Sequence, residues 1–200
     1  MITIIDYDAG NLKSVEKALL YLGERVKVTS DAKEILLADK IILPGVGAFG
    51  DAMEKLKRTG LAETIREAVD KNIPLLGICL GLQLLFESSE ESPGVSGLSL
   101  LKGKVKRIPD KEGFKVPHIG WNSLQIADNA PLFEGITQDS HVYFVHSYYL
   151  EAEEPIVTAT TEYVTDIHAS VQKGNLFACQ FHPEKSGENG LRILQNFARF

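Results

Sequence analysis

The stretch Pro74-Leu-Leu-Gly-Ile-Cys79-Leu-Gly81-Leu-Gln83-Leu-Leu-Phe86 changes its hydrophobic rhythm halfway along. Leu75–Ile78 is apolar on both parities, which suits a strand buried on both faces in a sheet covered by helices. Directly after it, Leu82, Leu85 and Phe86 fall on one side of a helical pattern. Cys79 therefore sits at a sharp strand-to-helix turn between Gly77 and Gly81, a G-x-C-x-G form of the nucleophile elbow. The glycines fit because strand and helix backbones approach too closely there to leave room for a Cβ. Such a turn lifts the sulfur clear of the sheet, and the helix N-terminus favours its thiolate form. The backbone N–H of Leu80 would point where an oxyanion forms. The pattern is short, however, and a structural cysteine packed between two glycines satisfies it equally well. A base elsewhere in the chain has to decide.

Outward from this segment, Ile2–Ile5 and Ile41–Leu43 are further short runs that are apolar on both parities. Between them Leu12, Val15, Leu19 and Leu22 recur at steps of three and four, as do Leu61, Ile65 and Ala68 with Val69. The alternation predicts an α/β fold, an open and mostly parallel sheet flanked by helices. The second half differs: Val105–Arg107, Trp121–Ile126, Val142–Tyr148, Ile156–Thr161, Ala169–Gln172 and Leu176–Phe181 read as strands with few helices between them. An antiparallel portion or an attached second sheet is expected there. A last helix carries Leu191, Leu194 and Phe197 as its buried stripe. No repeat, low-complexity tract or linker divides the chain, so residues 1–200 are expected to form one domain.

The 200 residues are 44% hydrophobic and 24% charged, the balance of a soluble globular protein with a full core. A net charge of −6 argues against a nucleic-acid partner, which needs a basic surplus to meet phosphates. Lys102–Arg107 is the densest basic stretch and reads as a solvated strand edge. The short apolar run at Met1 meets Asp6 and Asp8 too early to be a signal core, and no stretch approaches the ~20 apolar residues that span a bilayer. No membrane association is expected. Two cysteines, Cys79 and Cys179, make no disulfide framework and suit a reducing, cytosolic setting.

Five histidines are candidates for the base: His118, His141, His146, His168 and His182. His182 stands out through Phe181-His182-Pro183-Glu184, which directly follows the strand pattern Leu176–Phe181. In an open α/β sheet chemistry gathers at the carboxyl ends of strands, where both Cys79 and His182 would lie. Pro183 ends the strand, and Glu184 can turn back to the imidazole, fix its tautomer and leave the other nitrogen facing the thiol. Cys179 alternates with Phe177 and Phe181 on one face, whereas His182 shares parity with Ala178 and Gln180, so Cys179 is assigned to packing. The H-x-E string also occurs in zinc deaminases, but their P-C-x-x-C partner is absent, and no metal is expected.

Gly45-Val46-Gly47-Ala48-Phe49-Gly50 matches G-x-G-x-x-G after a strand and before a helical pattern, so a dinucleotide site has to be weighed. Against it, the motif follows Pro44 on an internal strand, and no strand-end acid appears about 20 residues on. The competing role is a loop offering backbone N–H groups, Val46 among them, to an oxyanion near Cys79. No cofactor is expected.

With these residues in hand, the chain resembles the class I (triad) glutamine amidotransferases from end to end. The marks are Asp8-Ala-Gly-Asn11, Leu43-Pro-Gly-Val-Gly-Ala-Phe-Gly50, Gly77-Ile-Cys-Leu-Gly-Leu-Gln83, Pro117-His-Ile-Gly-Trp-Asn122, Tyr143-Phe-Val-His-Ser-Tyr148 and Gln180-Phe-His-Pro-Glu-Lys-Ser186. The elbow and the His-Pro-Glu string mark the class. The Pro-Gly-Val-Gly and Pro-His-Ile-Gly-Trp-Asn segments resemble a narrower branch of glutaminase subunits in histidine biosynthesis. The resemblance implies glutamine as substrate, Cys79 as nucleophile, His182 as base and Glu184 as its orienter. It further implies that Gly47, Gln83, Glu91 and the backbone around Ser147 and Tyr148 hold substrate. A (β/α)₈-barrel cyclase subunit is the implied partner. It receives the ammonia and makes imidazole glycerol phosphate and an aminoimidazole carboxamide ribonucleotide. Asn11, Trp121, Tyr143 and Lys185 match positions at or near that interface. Without the family they would be a helix cap, a core aromatic, a half-buried strand residue and a surface lysine, while Gln83 would be a polar residue on the elbow helix and Glu91 part of an acidic surface run. The glycines around Val46 would permit a peptide flip, so the oxyanion donor is expected to be mis-set until the partner binds. Two other functions fit the same residues: a cysteine hydrolase of another γ-glutamyl amide, and a non-catalytic interaction module.

Overall fold

A computed structural model describes residues 1–8 and 10–200; Ala9, inside the Asp8–Asn11 motif, lies outside the described residues. In chain order the elements begin with β1 (Ile2–Ile5), α1 (Leu12–Tyr21), β2 (Val26–Thr29), α2 (Ala32–Leu36), β3 (Lys40–Gly45), α3 (Phe49–Arg58), α4 (Leu61–Asp70), β4 (Leu75–Cys79) and α5 (Leu80–Leu84). They continue with β5 (Ser88–Ser89), β6 (Gly103–Arg107), β7 (His118–Ser123), β8 (Gln125–Ile126), β9 (His141–His146), β10 (Tyr148–Ala152), β11 (Val157–Tyr163), β12 (Thr165–Lys173), β13 (Leu176–Cys179) and α6 (Gly187–Arg199).

The main sheet runs β2-β1-β3-β4-β13-β12-β11-β8. Its β2-β1-β3-β4-β13 part is parallel throughout, and β12, β11 and β8 continue it antiparallel. The fold class expected from the sequence is thus the one observed. β1, β4 and β13 are buried at every position, because helices cover both faces. Two hydrophobic clusters result. One gathers Ile5, Ile41, Leu43 and Leu75 with α3 and α4. The other gathers Ile4, Ile42, Leu76 and Phe177 with α1 and with Ile193, Leu194 and Phe197 of α6.

Several boundaries depart from the sequence reading. The single run Trp121–Ile126 is two strands: β7 pairs with β9 in a two-stranded sheet, while β8 joins the edge of the main sheet. The run Val142–Tyr148 likewise divides at Ser147 between β9 and β10. The basic stretch is no sheet edge: β6 is the central strand of β10-β6-β5. Its outward Lys104 and Lys106 pair with Glu153 and Glu151, so the positive charge is spent on neighbours. β2 and α2 escaped the reading because β2 is only half-buried and α2 has five residues. No helix among the described residues is long and apolar enough to cross a membrane.

Candidate active site

Three neighbouring parallel strands, β3, β4 and β13, deliver the chemistry at their carboxyl ends. Gly45 at the end of β3 is in register with Cys79 at the end of β4, and Cys179 at the end of β13 is in register with Ile78. The Pro44–Gly47 loop, Cys79 and His182 therefore emerge side by side from one edge.

Cys79 is held at φ 55° and ψ −110°, a backbone conformation that a residue with a side chain rarely adopts. The surroundings impose it. A Cβ on Gly77 would lie 2.8 Å from Gly81 O, and one on Gly81 only 1.9 Å from Leu43 O. Strand, elbow and helix are pressed together as the glycine pair indicates. The helix α5 is shorter than its apolar pattern: it ends at Leu84, so Leu85 and Phe86 lie beyond it although both are fully buried. Its five residues offer the sulfur only a modest dipole.

His182 follows β13 on a short 3₁₀ turn, Pro183–Lys185, which folds Glu184 back beneath the ring. His182 Nδ1 lies 2.8 Å from Glu184 Oε1, and both side chains are almost fully buried. The carboxylate can only accept, so Nδ1 carries the proton and Nε2 is left to act as base. His182 Nε2 is covered and has no hydrogen-bond partner among the described residues. Burial alone would lower the imidazole pKa, but Cys79 and then Glu184 stabilise the imidazolium and push it up to about 9. The His182 backbone is pinned as well, by Ser186 Oγ donating to its carbonyl at 2.6 Å and by its own N–H bonded to Tyr143 O at 3.0 Å.

Cys79 and His182 open into a cavity of about 310 Å³ that Val46, Gly47, Leu80, Gln83, Glu91, Ser147 and Tyr148 also line. Every expected substrate and oxyanion position is thus gathered there, with Glu184 behind His182. Glu91 is not a bare surface acid: its Oε2 accepts from Phe49 N at 2.8 Å, at the start of α3. Gln83 is buried, its Nε2 donating to Tyr148 O and to Gln180 Oε1. The Tyr148 carbonyl also accepts from His146 Nδ1, and Ser147 O accepts from Ile108 N, so these carbonyls are already committed to the protein.

The four interface candidates stand outside the cavity. Trp121 is 55% exposed, which overturns its alternative as a core aromatic. It faces Tyr143 across the β7–β9 ladder with ring centroids 6.2 Å apart, and Lys185 Nζ lies 5.9 Å from the Tyr143 ring centroid. Asn11 precedes α1 as expected of a cap, but its side chain makes no capping bond. The neighbouring Gly10 packs against Gly45.

Sequence reasoning passed over Pro117, Val145 and His146 as cavity residues. It also passed over Gln180, whose Nε2 is 3.8 Å from Cys79 Sγ. A lone amide between Cys179 and Phe181 in an otherwise apolar run was the available signal for Gln180, which the structure places just past the end of β13 and fully buried. Gly45, the first glycine of the loop motif, serves packing: a Cβ there would come within 2.6 Å of the Tyr7 hydroxyl and 2.9 Å of Leu80 Cβ. Among the described residues no group of histidine, cysteine and acidic side chains could hold a metal ion.

The chain was compared with known proteins. The family model for class-I glutamine amidotransferase matches residues 3–199. The chain is 55% identical over 198 residues to the imidazole glycerol phosphate synthase subunit HisH of Caldanaerobacter subterraneus subsp. tengcongensis, covering 98% of this chain and 97% of that protein. The subunit of the same name from Methanocaldococcus jannaschii is 52% identical, with 98% of each chain covered. Among solved structures, a glutamine amidotransferase superimposes with TM-score 0.78 at 20% identity, over 100% of this chain and 98% of that one. The PurLQS structure from Thermotoga maritima gives TM-score 0.77 at 21% identity, over 99% and 97%. The distant structures share the fold, and the family model with the near relatives settles the kinship: this chain belongs to the class I glutamine amidotransferase family.

Proposed function

We propose that the chain is the glutaminase subunit of an imidazole glycerol phosphate synthase, releasing ammonia from glutamine for a cyclase partner. The observation that carries the chemistry is the arrangement at one sheet edge: Cys79 and His182, following adjacent parallel strands, share a single small cavity, with Glu184 bonded to the far side of the His182 ring. Its volume of about 310 Å³ suits an amino-acid-sized ligand, at the low end of the ~300–1,000 Å³ of small-molecule sites.

Cys79 Sγ attacks the carboxamide carbon of glutamine, and His182 delivers its proton to the departing ammonia. A γ-glutamyl thioester remains on the sulfur. Water, deprotonated by His182, then adds to the thioester carbonyl, and the thiolate leaves with glutamate as product. Glu184 holds the imidazole in one tautomer through both steps. The backbone N–H of Leu80 and one from the Val46 loop receive the oxyanion. Gln83 spends its amide nitrogen inside the protein, which leaves its oxygen for the ligand. Glu91, Gly47 and N–H groups near Ser147 and Tyr148 complete the substrate contacts.

The partner in this proposal is a (β/α)₈-barrel cyclase that takes the ammonia through a protected path. Trp121, Tyr143, Lys185 and Asn11 form the docking face, where an exposed indole and a half-buried tyrosine supply apolar area. Val46 is 43% exposed and Gly47 holds φ +98°, so partner contact can reset the oxyanion loop. The two cysteines are free thiols, consistent with a reducing cytosol. Ammonia release from glutamine should therefore rise strongly when the cyclase and its ligand are added, and Cys79→Ala should abolish it. Equal turnover with and without the cyclase would remove the regulatory part. Turnover that survives Cys79→Ala would remove the mechanism.

A further inference from the structure

We propose that Gln180 is a further catalytic residue, an amide donor to the Cys79 sulfur, aimed there by a hydrogen-bond relay that begins at the buried pair His118 and His146. The proposal rests on the glutamine-hydrolysing reading, in which the sulfur must carry negative charge both when it attacks and when it leaves.

The relay has only one consistent direction. The Tyr148 carbonyl can accept but not donate, so His146 Nδ1, 2.9 Å away, must carry its proton. His146 Nε2 is then bare and accepts, which makes His118 Nδ1, at 3.0 Å, the donor. His146 has to be neutral for this, while His118 donates from Nδ1 in either state. Burial favours the neutral ring in both, pushing His146 down to about 3 and His118 down to about 4. His118 is further fixed by stacking between Tyr163 and Phe144.

The remaining lone pair of Tyr148 O takes Gln83 Nε2 at 3.1 Å. That contact decides which end of the Gln83 amide faces inward, and its second proton goes to Gln180 Oε1 at 3.0 Å. With its oxygen engaged, Gln180 has its NH₂ left for Cys79 Sγ at 3.8 Å. Turning the Gln180 amide over would set two NH₂ groups against each other in a site where Gln180 is fully buried. The sequence of donors and acceptors therefore ends with the Gln180 NH₂ donating to the sulfur.

The other ionisable groups around the sulfur do not replace it. His182 is the base, with Glu184 bound to its far nitrogen. The Tyr7 hydroxyl is committed to Pro44 O at 2.9 Å, and burial, with the Cys79 charge adding to it, pushes its pKa well above the ordinary phenol range. Cys179 is fully buried, which keeps its thiol protonated, and its Sγ faces Phe181 O. Gln180 is thus a neutral donor that favours the thiolate without supplying a proton. Its bond weakens as the sulfur becomes a neutral thioester and strengthens again as the thiolate departs, which favours deacylation.

The test compares the wild-type full chain with Gln180→Met, a near-isostere without the donor. Two readouts avoid glutamine: the rate at which iodoacetamide alkylates Cys79, and the pH midpoint of thiolate absorbance. The expected result is alkylation about ten-fold slower at neutral pH and a thiolate midpoint about one unit higher. Should Gln180→Met fail to fold, the wild-type chain decides by NMR: the Gln180 side-chain amide signal should differ between wild type and Cys79→Ser and should follow thiolate formation. An unchanged alkylation rate in folded Gln180→Met, or an amide signal blind to the thiolate, overturns the proposal. A wild-type chain that passes these tests but releases no ammonia from glutamine, with its cyclase present, would overturn the glutaminase reading and leave the donor role standing.

Discussion

The two walls of the cavity are built on opposite terms. On the elbow side, Cys79 sits in a strained backbone conformation that Gly77, Gly81 and the β3 backbone enforce by direct contact. His182 is fixed through its ring, its carbonyl and its N–H. On the loop side, Val46 is exposed and a Cβ on Gly47 would meet nothing within 4 Å. Gly45 joins the two, packed against Tyr7 and Leu80 at its base. Nucleophile and base are thus preorganised by packing, while the oxyanion loop is open at Val46 and Gly47, between anchors at Gly45 and at Phe49, whose N–H donates to Glu91. Under the proposed function this division makes sense: the groups that cleave the amide and the Leu80 N–H are always set, and the second oxyanion donor, in the Val46 loop, is left for a partner to set.

The contrast can be broken first at the orienting acid. Glu184→Gln keeps the size of the side chain but removes the charge that holds the imidazolium. Turnover of glutamine should fall by ~10²–10⁴ in kcat, with a much smaller effect on KM, as loss of an orienting carboxylate does in related triads. Steady-state ammonia release measures it. A rate near wild type would mean that packing alone orients His182.

A second pair of substitutions compares the walls directly. Gly81→Ala places a Cβ 1.9 Å from Leu43 O, a backbone atom that cannot yield cheaply. It should cost ~3 kcal/mol or more, the upper end of overpacking penalties. Gly47→Ala meets no steric neighbour and carries only the strain of its positive φ, about 1–2 kcal/mol. Urea unfolding of both variants reads the difference. Equal penalties would show that the loop is packed as tightly as the elbow.

The smallest effect is electrostatic. His182 titrates at about 9, above the ordinary 6.5, because Cys79 and Glu184 outweigh the burial that would lower it. A group raised in the folded state contributes its stability fully below about 6.5 and loses it as pH rises toward 9. Cys79→Ser should lower the His182 midpoint followed by NMR, and should flatten the fall in urea stability between those pH values. A midpoint unmoved by the serine would separate the two side chains electrically.

The sequence exposed the elbow wall far better than the loop wall. Leu75–Ile78, Gly77, Gly81 and the His-Pro-Glu string carry their own local signatures, since a buried parallel strand and a tight turn each demand particular residues. The parallel sheet was legible for the same reason. The divisions at β7/β8 and β9/β10 were not, because what splits those runs is the partner strand each half finds, and pairing is not encoded in periodicity. Trp121 shows the same limit: an indole on a strand reads as core until the structure leaves that face uncovered. Gln180, Gln83 and His146 were hidden differently. Their places in the relay depend on contacts between residues as much as 101 positions apart, as with Cys79 and Gln180, and no spacing rule reports such pairs. Cys179 was separable by parity alone because β13 is regular up to that residue.

The most direct measurement is mass spectrometry of the chain quenched during turnover of glutamine with its cyclase present. A glutamyl adduct on the Cys79 peptide, lost on standing and missing from Cys79→Ala, is the predicted result. Glutamate formation with no adduct at Cys79, undiminished in Cys79→Ala, would contradict the account.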